Sequence, residues 1–245
     1  MEWVSAAVNF WDNSINMIFG NLQRKWLVWM GLSVFLVGAR HAASQDGGTP
    51  VVGFTLDFPG SVPDHYVVSI NADGRGTYTS SGKLSDQAEG GEDFHLEFAI
   101  SDTSRNRVFD LARRAHYFDG KLDSGKKGLA FTGTKTLAYT DGQKNKRGSY
   151  NYSPVPAVQE LTQFFQGLSA TLEFGHRLEY YHRYQKLALD DETKRMEQMA
   201  KDKELVELSA IAPVLQQIAI DSTVINVVRA RAQRLIDQAQ QSNQP

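Results

Sequence analysis

Hydrophobic and polar residues alternate over several short stretches between residues 51 and 153, and this alternation predicts β-strands. In DFHLEFAI (residues 93–100), Phe94, Leu96 and Phe98 lie on one side and polar residues lie on the other. A strand of this kind has one buried face and one face in water, because successive side chains point to opposite sides. We predict strands at residues 51–58, 65–72, 77–80, 93–100, 128–133, 134–140 and 147–153.

Two Asp-Gly pairs mark hairpin turns between these stretches. Asp73-Gly74 separates the second and third predicted strands, and Asp141-Gly142 follows the sixth. Glycine accepts the positive φ that a tight turn requires, so an Asp-Gly pair between two strands is a strong hairpin signal. The strands are therefore expected to pair antiparallel.

The remaining segments show a helical period. Ser101-Asp102-Thr103 is a helix start, followed by an apolar stripe that includes Val108 and Leu111. Pro154 and Pro156 close the β section, and Val155–Leu172 is predicted to be helical. From residue 173 onward we predict only helices, with Pro213 starting or kinking one of them and Asp221-Ser222-Thr223 capping the last. These later helices are predicted at residues 176–201, 205–220 and 224–236.

The pattern as a whole predicts an α+β fold, a small antiparallel sheet with packed helices followed by an all-helical C-terminal extension. We divide the chain into residues 1–44 (signal peptide or N-terminal anchor), 45–50 (linker), 51–172 (α+β domain), 173–239 (helical extension) and 240–245 (disordered tail).

Two apolar stripes run along the predicted C-terminal helices. The first is Leu205, Leu208, Ile211, Leu215 and Ile218, and the second is Val224, Val228, Leu235 and Ile236. We expect the stripes to pack on each other and on the β domain. Any remainder left exposed would mark a partner site.

The N-terminal region contains a short apolar run behind two cations. Arg24 and Lys25 precede Trp26–Gly38, thirteen residues without a charge, and Ala42-Ala43-Ser44 follows. A membrane-spanning helix needs about 20 apolar residues, so the length favours the apolar region of a cleaved signal peptide. The alternatives are an uncleaved anchor at residues 26–43 and a buried helix of a soluble protein.

The signal-peptide and anchor interpretations share one consequence. Both place the body of the protein outside the cytoplasm, either in the periplasm or the extracellular space, or on the inner membrane. The chain before Arg24 is long for a signal peptide, and Met17 is an alternative start to Met1.

Composition removes several classes of function. The chain has 245 residues and no cysteine, which excludes a disulfide framework, a thiolate metal site and a cysteine nucleophile. Its formal net charge of −2 gives no overall attraction to nucleic acid or to an anionic membrane. We expect no nucleic-acid partner, no metal and no cofactor.

Two short motifs resemble metal sites but lack the required geometry. Glu173-x-x-His176 and Glu179-x-x-His182 have the spacing of di-iron ligands, but in those proteins the two pairs lie on different helices. We interpret them as surface pairs on a solvated helix that Gly175 interrupts. The loop Asp119–Gly125 lacks the alternating oxygen ligands of a calcium site.

Hydrolase motifs are equally incomplete. There is no Gly-x-Ser-x-Gly, and Ser80-Ser81-Gly82-Lys83 lies in a predicted strand and turn although lysine-assisted serine chemistry uses a helix N-terminus. Asp73-Gly74-Arg75-Gly76 is followed by a strand, so it lacks the helix dipole of a phosphate cradle.

One segment is markedly basic. Residues 121–147 carry seven cations and two aspartates, a net charge of +5, with Tyr150 and Tyr152 nearby. Cations interleaved with aromatic residues can bind a polyanion or a partner. The alternative is a solvated hairpin whose lysines protect a sheet edge from strand pairing. The candidate site residues are Lys126, Lys127, Lys135, Lys144, Lys146 and Arg147.

The order of elements over roughly residues 59–172 resembles a group of exported bacterial domains of unknown function. The matching residues are Pro63, Asp64, Tyr66, Ile70, Asp73-Gly74, Tyr78 and the pair Tyr117-Phe118. Two cysteines that members often carry before the tyrosine at position 66 are missing in PGSVPDHY (59–66). The resemblance implies a β-rich envelope domain and assigns no catalytic residue. Separately, residues 211–236 resemble one helix pair of a HEAT-type repeat, but one pair does not make a solenoid.

These observations favour an exported envelope protein with a non-catalytic binding or scaffolding role. Its partner would be an envelope protein or an anionic envelope polymer. One alternative is an envelope hydrolase, which would require a pocket where groups such as His95, His116 or Asp119 converge. The other is a structural envelope protein that oligomerises through its long helices.

Overall fold

The structure is a computed structural model that describes residues 48–83 and 91–242. Its strands are β1 (Val51–Asp57), β2 (His65–Asn71), β3 (Arg75–Lys83), β4 (Gly91–Ala99), β5 (Thr134–Thr140) and β6 (Asn145–Tyr150). They form one six-stranded antiparallel sheet in the order β4-β3-β2-β1-β5-β6. The strands predicted at 51–58, 65–72, 93–100 and 134–140 are confirmed to within two residues.

The sheet has one buried and one open face, as the alternation predicts. In β1, Val52, Phe54 and Leu56 point into the core, whereas Thr55 points to the opposite face. Threonines continue on the open face of the neighbouring strands, for example Thr136, which lies opposite Thr55 in the register. A single layer of helices therefore covers the sheet, and the core lies between the two.

Over residues 48–83 and 91–242, five α-helices accompany the sheet, and the fold is α+β with about 49% helix and 23% strand. They are α1 (Asp102–Arg114), α2 (Pro156–Tyr184), α3 (Leu189–Lys201), α4 (Ala212–Ile220) and α5 (Asn226–Ser242). Short 3-10 turns occur at His116–Phe118, Lys186–Ala188 and Leu208–Ile211. The predicted start of α1 is confirmed, because the Ser101 hydroxyl accepts a hydrogen bond from the Ser104 N–H.

Helix α2 differs most from the sequence prediction. It continues past Leu172 to Tyr184, so the proposed division at residues 172 and 173 falls inside a helix. The prediction that Gly175 breaks the helix is wrong. A Cβ atom there would lie 2.5 Å from Cγ2 of Ile211, so this glycine allows a close approach of the C-terminal helices.

Two further local predictions are wrong. Residues 128–133 form a loop rather than a strand, because Gly128 and Gly133 adopt positive φ angles of 81° and 91° and bend the backbone away from an extended path. Asp221 does not cap the last helix. It closes the turn before α5 by accepting hydrogen bonds from the Thr223 N–H and hydroxyl.

The core continues from the sheet into the C-terminal helices. Phe165 of α2 stacks on Phe54 of β1, with ring centroids 5.2 Å apart and planes 4° from parallel. All nine residues of the two predicted apolar stripes are buried, and α4 and α5 pack on each other as expected. Helix α4 starts at Ala212, with Pro213 in its first turn, and packs against α5 and α2.

Candidate functional site

The six predicted site cations do not form one surface. Lys126 and Lys127 lie in the exposed loop before β5, and Lys135 lies inside the protein at the start of that strand. Lys144 and Lys146 lie at the β5–β6 turn, at the opposite end of β5 from Lys135. The five residue steps from Lys135 to Thr140 span about 17 Å, at about 3.4 Å per residue. Arg147 is exposed on the open face of the sheet, opposite Ala138.

The cations at the turn already have partners. Lys146 Nζ lies 3.0 Å from the Asp119 carboxylate. Lys144 lies 3.7 Å from the Asp141 carboxylate and 4.5 Å from the centre of the Tyr117 ring. Backbone N–H groups of the turn, above all that of Lys144, lower the pKa of Asp141. This end of the hairpin is thus nearly neutral.

Lys135 is a structural cation. Only 5% of the residue is exposed, because its side chain points to the helix-covered face of the sheet. Its ammonium group donates to the Thr132 carbonyl (3.0 Å), the Thr132 hydroxyl (2.9 Å) and the Asn151 carbonyl (3.1 Å). Among the described residues it has no acidic partner, and burial lowers the pKa of Lys135. Lys135 therefore ties the loop to the end of β6.

The loop before β5 exposes both charge and hydrophobic surface. We refer to residues 126–131 as the basic loop. It carries Lys126 and Lys127, both exposed, together with Leu129 (44% exposed) and Phe131 (58% exposed). The Phe131 and Phe58 rings pack edge to face, with centroids 5.9 Å apart. Aromatic and aliphatic groups beside exposed cations are a combination typical of binding surfaces.

Hydrogen bonds fix both ends of the basic loop. Asp123 accepts from the N–H groups of Gly125 (2.6 Å) and Asn151 (2.7 Å), and these bonds lower the pKa of Asp123. The Asn151 side chain donates to the Ala130 carbonyl and accepts from the Thr132 N–H, both at 3.0 Å. The loop is thus held in place although it contains no secondary structure.

A cleft of about 340 Å³ opens beside the basic loop. It lies between the end of the loop, the end of β6 and the first turns of α2, and we refer to it as the Lys135 cleft. None of its lining residues is acidic. Its main lining residues are Lys135, Tyr150, Asn151, Tyr152, Gln159 and Gln163.

Neutral groups in the Lys135 cleft are held by internal hydrogen bonds. The Gln159 amide donates to the Tyr152 hydroxyl (3.0 Å) and to the Ser153 carbonyl (2.9 Å). Tyr150 contacts the Thr162 hydroxyl at 2.5 Å, and burial raises the pKa of Tyr150 to about 12, so its phenol remains protonated at neutral pH. The cleft is consequently polar, uncharged along most of its wall and preorganised.

A buried carboxylate lies elsewhere, between α2 and the sheet. Glu173 is 5% exposed and accepts hydrogen bonds from the hydroxyls of Tyr78 (2.8 Å) and Ser80 (2.7 Å). Tyr78 also contacts the Ser169 hydroxyl at 2.9 Å. Burial and the nearby carboxylate raise the pKa of Tyr78. These groups satisfy one another inside the core, so the arrangement joins α2 to β3.

The motif at Glu173 was therefore placed wrongly on a solvated surface. His176 stacks on Phe94, with ring centroids 3.8 Å apart. In the second pair, Glu179 is exposed as predicted and bonds Arg183, whereas His182 is half-buried and bonds Asp221. Within residues 48–83 and 91–242, no three His, Asp or Glu residues are grouped closely enough to hold a metal ion.

The groups considered for hydrolysis are far apart. His95 faces the open side of β4, at one edge of the sheet, and Asp119 contacts Lys146 in β6, at the other edge. Five strand spacings separate the two edges, about 24 Å at about 4.8 Å per spacing. His116 lies in the turn next to Asp119, so it cannot converge with His95 either.

An apolar patch lies at the end of the C-terminal helices. We refer to Tyr184, Leu187, Ile220, Ile225 and Val227 as the apolar tip; Leu187 is 87% and Ile220 81% exposed. Lys186 joins the two chain segments of the tip, since it contacts the Asp221 carboxylate at 2.7 Å. This exposed surface lies outside the predicted stripes.

Tyr150 and Tyr152 were expected beside the basic segment, but Gln159 and Gln163 were not predicted from the sequence. Their separation of four residues, which places both on one helix face next to the end of β6, is the signal that could have identified them.

Comparison with known proteins adds no relative. No family model matches the chain, and no curated protein sequence matches it.

The N-terminal segment Arg24–Gln45 lies outside the described residues. In the part of the chain that the structure covers, no helix combines the length and apolarity needed to cross a bilayer.

Proposed function

We propose that this protein is an exported, non-catalytic binding module of the bacterial envelope. Its ligand is an anionic envelope polymer, which it binds through the basic loop. The observation that carries the proposal is the exposure of Lys126 and Lys127 beside Leu129 and Phe131 on a loop that is fixed at both ends.

Charge and preorganisation support this choice of surface. Among the described contacts, neither Lys126 nor Lys127 has an acidic partner, unlike Lys144 and Lys146 at the opposite end of the hairpin. Two such cations attract a polyanion without first breaking an ion pair. A loop already fixed by Asp123 and Asn151 loses little conformational entropy on binding.

The non-catalytic part of the proposal depends on the distance between the candidate hydrolytic groups. The groups that would form a hydrolytic site lie on opposite edges of the sheet, and the buried carboxylate of Glu173 is satisfied by hydroxyl groups in the core. General acid–base catalysis needs such groups within hydrogen-bond reach of one substrate.

Binding can be tested by capturing the purified full chain on envelope polymer preparations at about 0.05 M and 0.5 M salt. The double variant Lys126→Glu/Lys127→Glu should reduce capture at low salt by at least about tenfold, because counterion-dependent contacts are lost and repulsive ones gained. Lys194→Glu/Lys201→Glu on α3 changes the net charge equally and should bind like the wild type. Capture that resists salt, or an equal loss in both variants, would refute the proposal.

Export rests on the sequence of residues 24–45 and needs its own experiment. The full chain would be expressed in a bacterium, the cells fractionated and the N-terminus of the product sequenced. A new terminus near Gln45 supports cleavage, and a membrane-bound product that retains Met1 or Met17 supports an anchor. Recovery of the intact chain from the cytosol would overturn both.

A second candidate function, a structural protein that self-associates, is favoured by the apolar tip. The tip contains aliphatic side chains that are almost fully exposed. The adjacent Lys186 is neutralised by Asp221, so two copies could associate through the tip without charge repulsion. Leu187→Ser/Ile220→Ser should lower the molar mass measured by light scattering. A wild-type chain that stays monomeric at about 100 µM, well above the Kd of a micromolar complex, rules this candidate out.

A further inference from the structure

The Lys135 cleft contains a combination of groups that the basic loop does not explain. Its walls carry exposed and fixed neutral groups, and its only charge is buried beneath them. Its volume of about 340 Å³ falls within the range of small-molecule sites, about 300–1,000 Å³. The chemistry of these groups restricts what can bind.

A simple anion is a poor match for the cleft. The Lys135 ammonium group lies within hydrogen-bond distance of four oxygens, which belong to Thr132, Gly133 and Asn151 and occupy its three protons. An entering phosphate would have to displace these bonds in order to be bound directly. Lys135 therefore shapes the cleft and contributes at most a long-range attraction.

Tyr152 provides an aromatic platform. Its side chain remains 44% exposed, whereas Tyr150 beside it is buried. The Gln159 amide donates to its hydroxyl oxygen and so fixes one end of the ring. Aromatic rings present an electron-rich face, on which the C–H bonds of a sugar ring pack well.

The neighbouring amide presents complementary polar groups. Both acceptors of the Gln159 amide nitrogen, the Tyr152 hydroxyl and the Ser153 carbonyl, are protein groups. Among the contacts of the described residues, this leaves the Gln159 Oε1 as an acceptor and the Tyr152 hydroxyl hydrogen as a donor. Gln163, one helical turn later and exposed, adds a second amide on the same wall.

We propose that the Lys135 cleft binds one ring of an uncharged pyranose sugar, with the ring stacked on Tyr152 and its hydroxyl or acetamido groups bonded to Gln159 and Gln163. Each sugar hydroxyl both donates and accepts, which matches a wall that offers one donor beside one acceptor. The inference rests on the proposed function, since it identifies a sugar unit of the polymer that the adjacent basic loop attracts.

The test is saturation-transfer difference NMR on the full chain with four uncharged tetrasaccharides. The probes are the tetramers of N-acetylglucosamine, cellotetraose, maltotetraose and mannotetraose, and inorganic phosphate at the same concentration serves as the competitor. At least one probe should show transfer to its ring protons, and phosphate should not displace it. Displacement by phosphate would mean an anion site and would overturn the inference, as would the absence of transfer to all four probes.

Variants locate the binding. Tyr152→Ala should raise the Kd of that probe by at least about tenfold, because both the stacking surface and the hydroxyl are removed. Tyr152→Phe and Gln163→Ala should each raise the Kd by about two- to tenfold, the loss of roughly one hydrogen bond. Gln166→Ala, at an exposed position on the same helix, is the matched control and should bind as the wild type. A Tyr152→Ala variant that is folded by circular dichroism and binds normally would refute the assignment.

The two proposals fail in different ways. Lys126→Glu/Lys127→Glu should reduce salt-sensitive capture of the polymer but change the Kd of the neutral tetrasaccharide by less than about twofold, because an uncharged ligand is not steered by charge. Polymer capture without tetrasaccharide binding overturns only the sugar site. Tetrasaccharide binding without salt-sensitive capture overturns only the role of the basic loop.

Discussion

Replacement of Gly167 by alanine tests whether tertiary packing outweighs helix propensity in α2. In an exposed helix interior this change should stabilise the protein by about 0.5–1 kcal/mol, because glycine loses more conformational entropy on folding. In this structure, however, an alanine Cβ would lie 2.7 Å from the carbonyl oxygen of Glu204 and 3.6 Å from the Val206 side chain. The closest neighbour is therefore backbone, which cannot rotate away.

The segment that carries Glu204 has little freedom to move. Lys203 adopts a left-handed φ of 60°, and the Glu204 N–H is bonded to the Met199 carbonyl at 3.0 Å. Overpacking of a tight contact costs about 1–3 kcal/mol. Subtracting the propensity gain leaves about 0–2.5 kcal/mol, and we expect Gly167→Ala to destabilise the protein by about 1 kcal/mol, near the middle of that range.

Urea denaturation of the full chain, followed by far-ultraviolet circular dichroism, measures this difference. The midpoint should fall without a change in the slope, and the melting temperature should drop by about 2–4 °C per kcal/mol for a protein of this size. Gln166→Ala, at the exposed neighbouring position, is the control and should change stability by less than about 0.5 kcal/mol. A Gly167→Ala variant as stable as the wild type, or more stable, would refute the argument from packing.

Three further changes probe other contacts. Glu207→Ala removes the carboxylate that accepts hydrogen bonds from the Ser101 N–H (2.9 Å) and hydroxyl (2.8 Å). It should lower the free energy of unfolding measured by urea denaturation by about 1–2 kcal/mol. An unchanged midpoint would show that this contact is not formed. Lys135→Met should destabilise the protein by about 1–3 kcal/mol and expose the basic loop to limited proteolysis, whereas an unchanged cleavage rate would contradict the tie to Thr132 and Asn151. Hydrogen bonds, above all the one from Lys186, lower the pKa of Asp221. A lowered carboxyl pKa stabilises the fold above the unfolded pKa of about 4, and this stabilisation is lost as the pH falls below that value. Asp221→Asn should therefore flatten the loss of stability below about pH 4. Identical slopes for wild type and variant in pH-dependent melting would contradict this.

Local patterns predicted the elements of this fold well where the environment was simple. β1 and β2 alternate strictly because one face of the sheet meets the helices and the other meets water. The stripe of α1 and its Ser101 cap follow from the period of the helix and its unsatisfied N–H groups. In these segments the burial of a side chain depends only on which side of the strand or helix it occupies, and the sequence pattern shows that side.

The errors occurred where a distant segment decided the outcome. Gly175 looked like a helix breaker, but its lack of a side chain serves the approach of Ile211, which is far away in sequence. Glu173 looked like a surface residue, but hydroxyls of β3 surround it. Residues 128–133 looked like a strand, but they form a loop that the Asn151 side chain holds.

The candidate site divides in the same way. The basic segment of the sequence predicted Lys126 and Lys127 among six candidate cations, with Tyr152 nearby. It also included Lys135, whose four oxygen partners belong to the loop before β5 and to the residue that follows β6. The Lys135 cleft itself exists only because the loop, the strand end and α2 come together.

The sequence by itself determined the α+β class, most strand and helix positions, and the residues that face the core, because these follow from short-range periodicity and from the transfer of apolar side chains out of water. Tertiary structure alone decided which cations remain free, which glycines permit close contact and where a cleft opens. Those features depend on pairs of atoms far apart along the chain, whose proximity is set by how the sheet and helices pack.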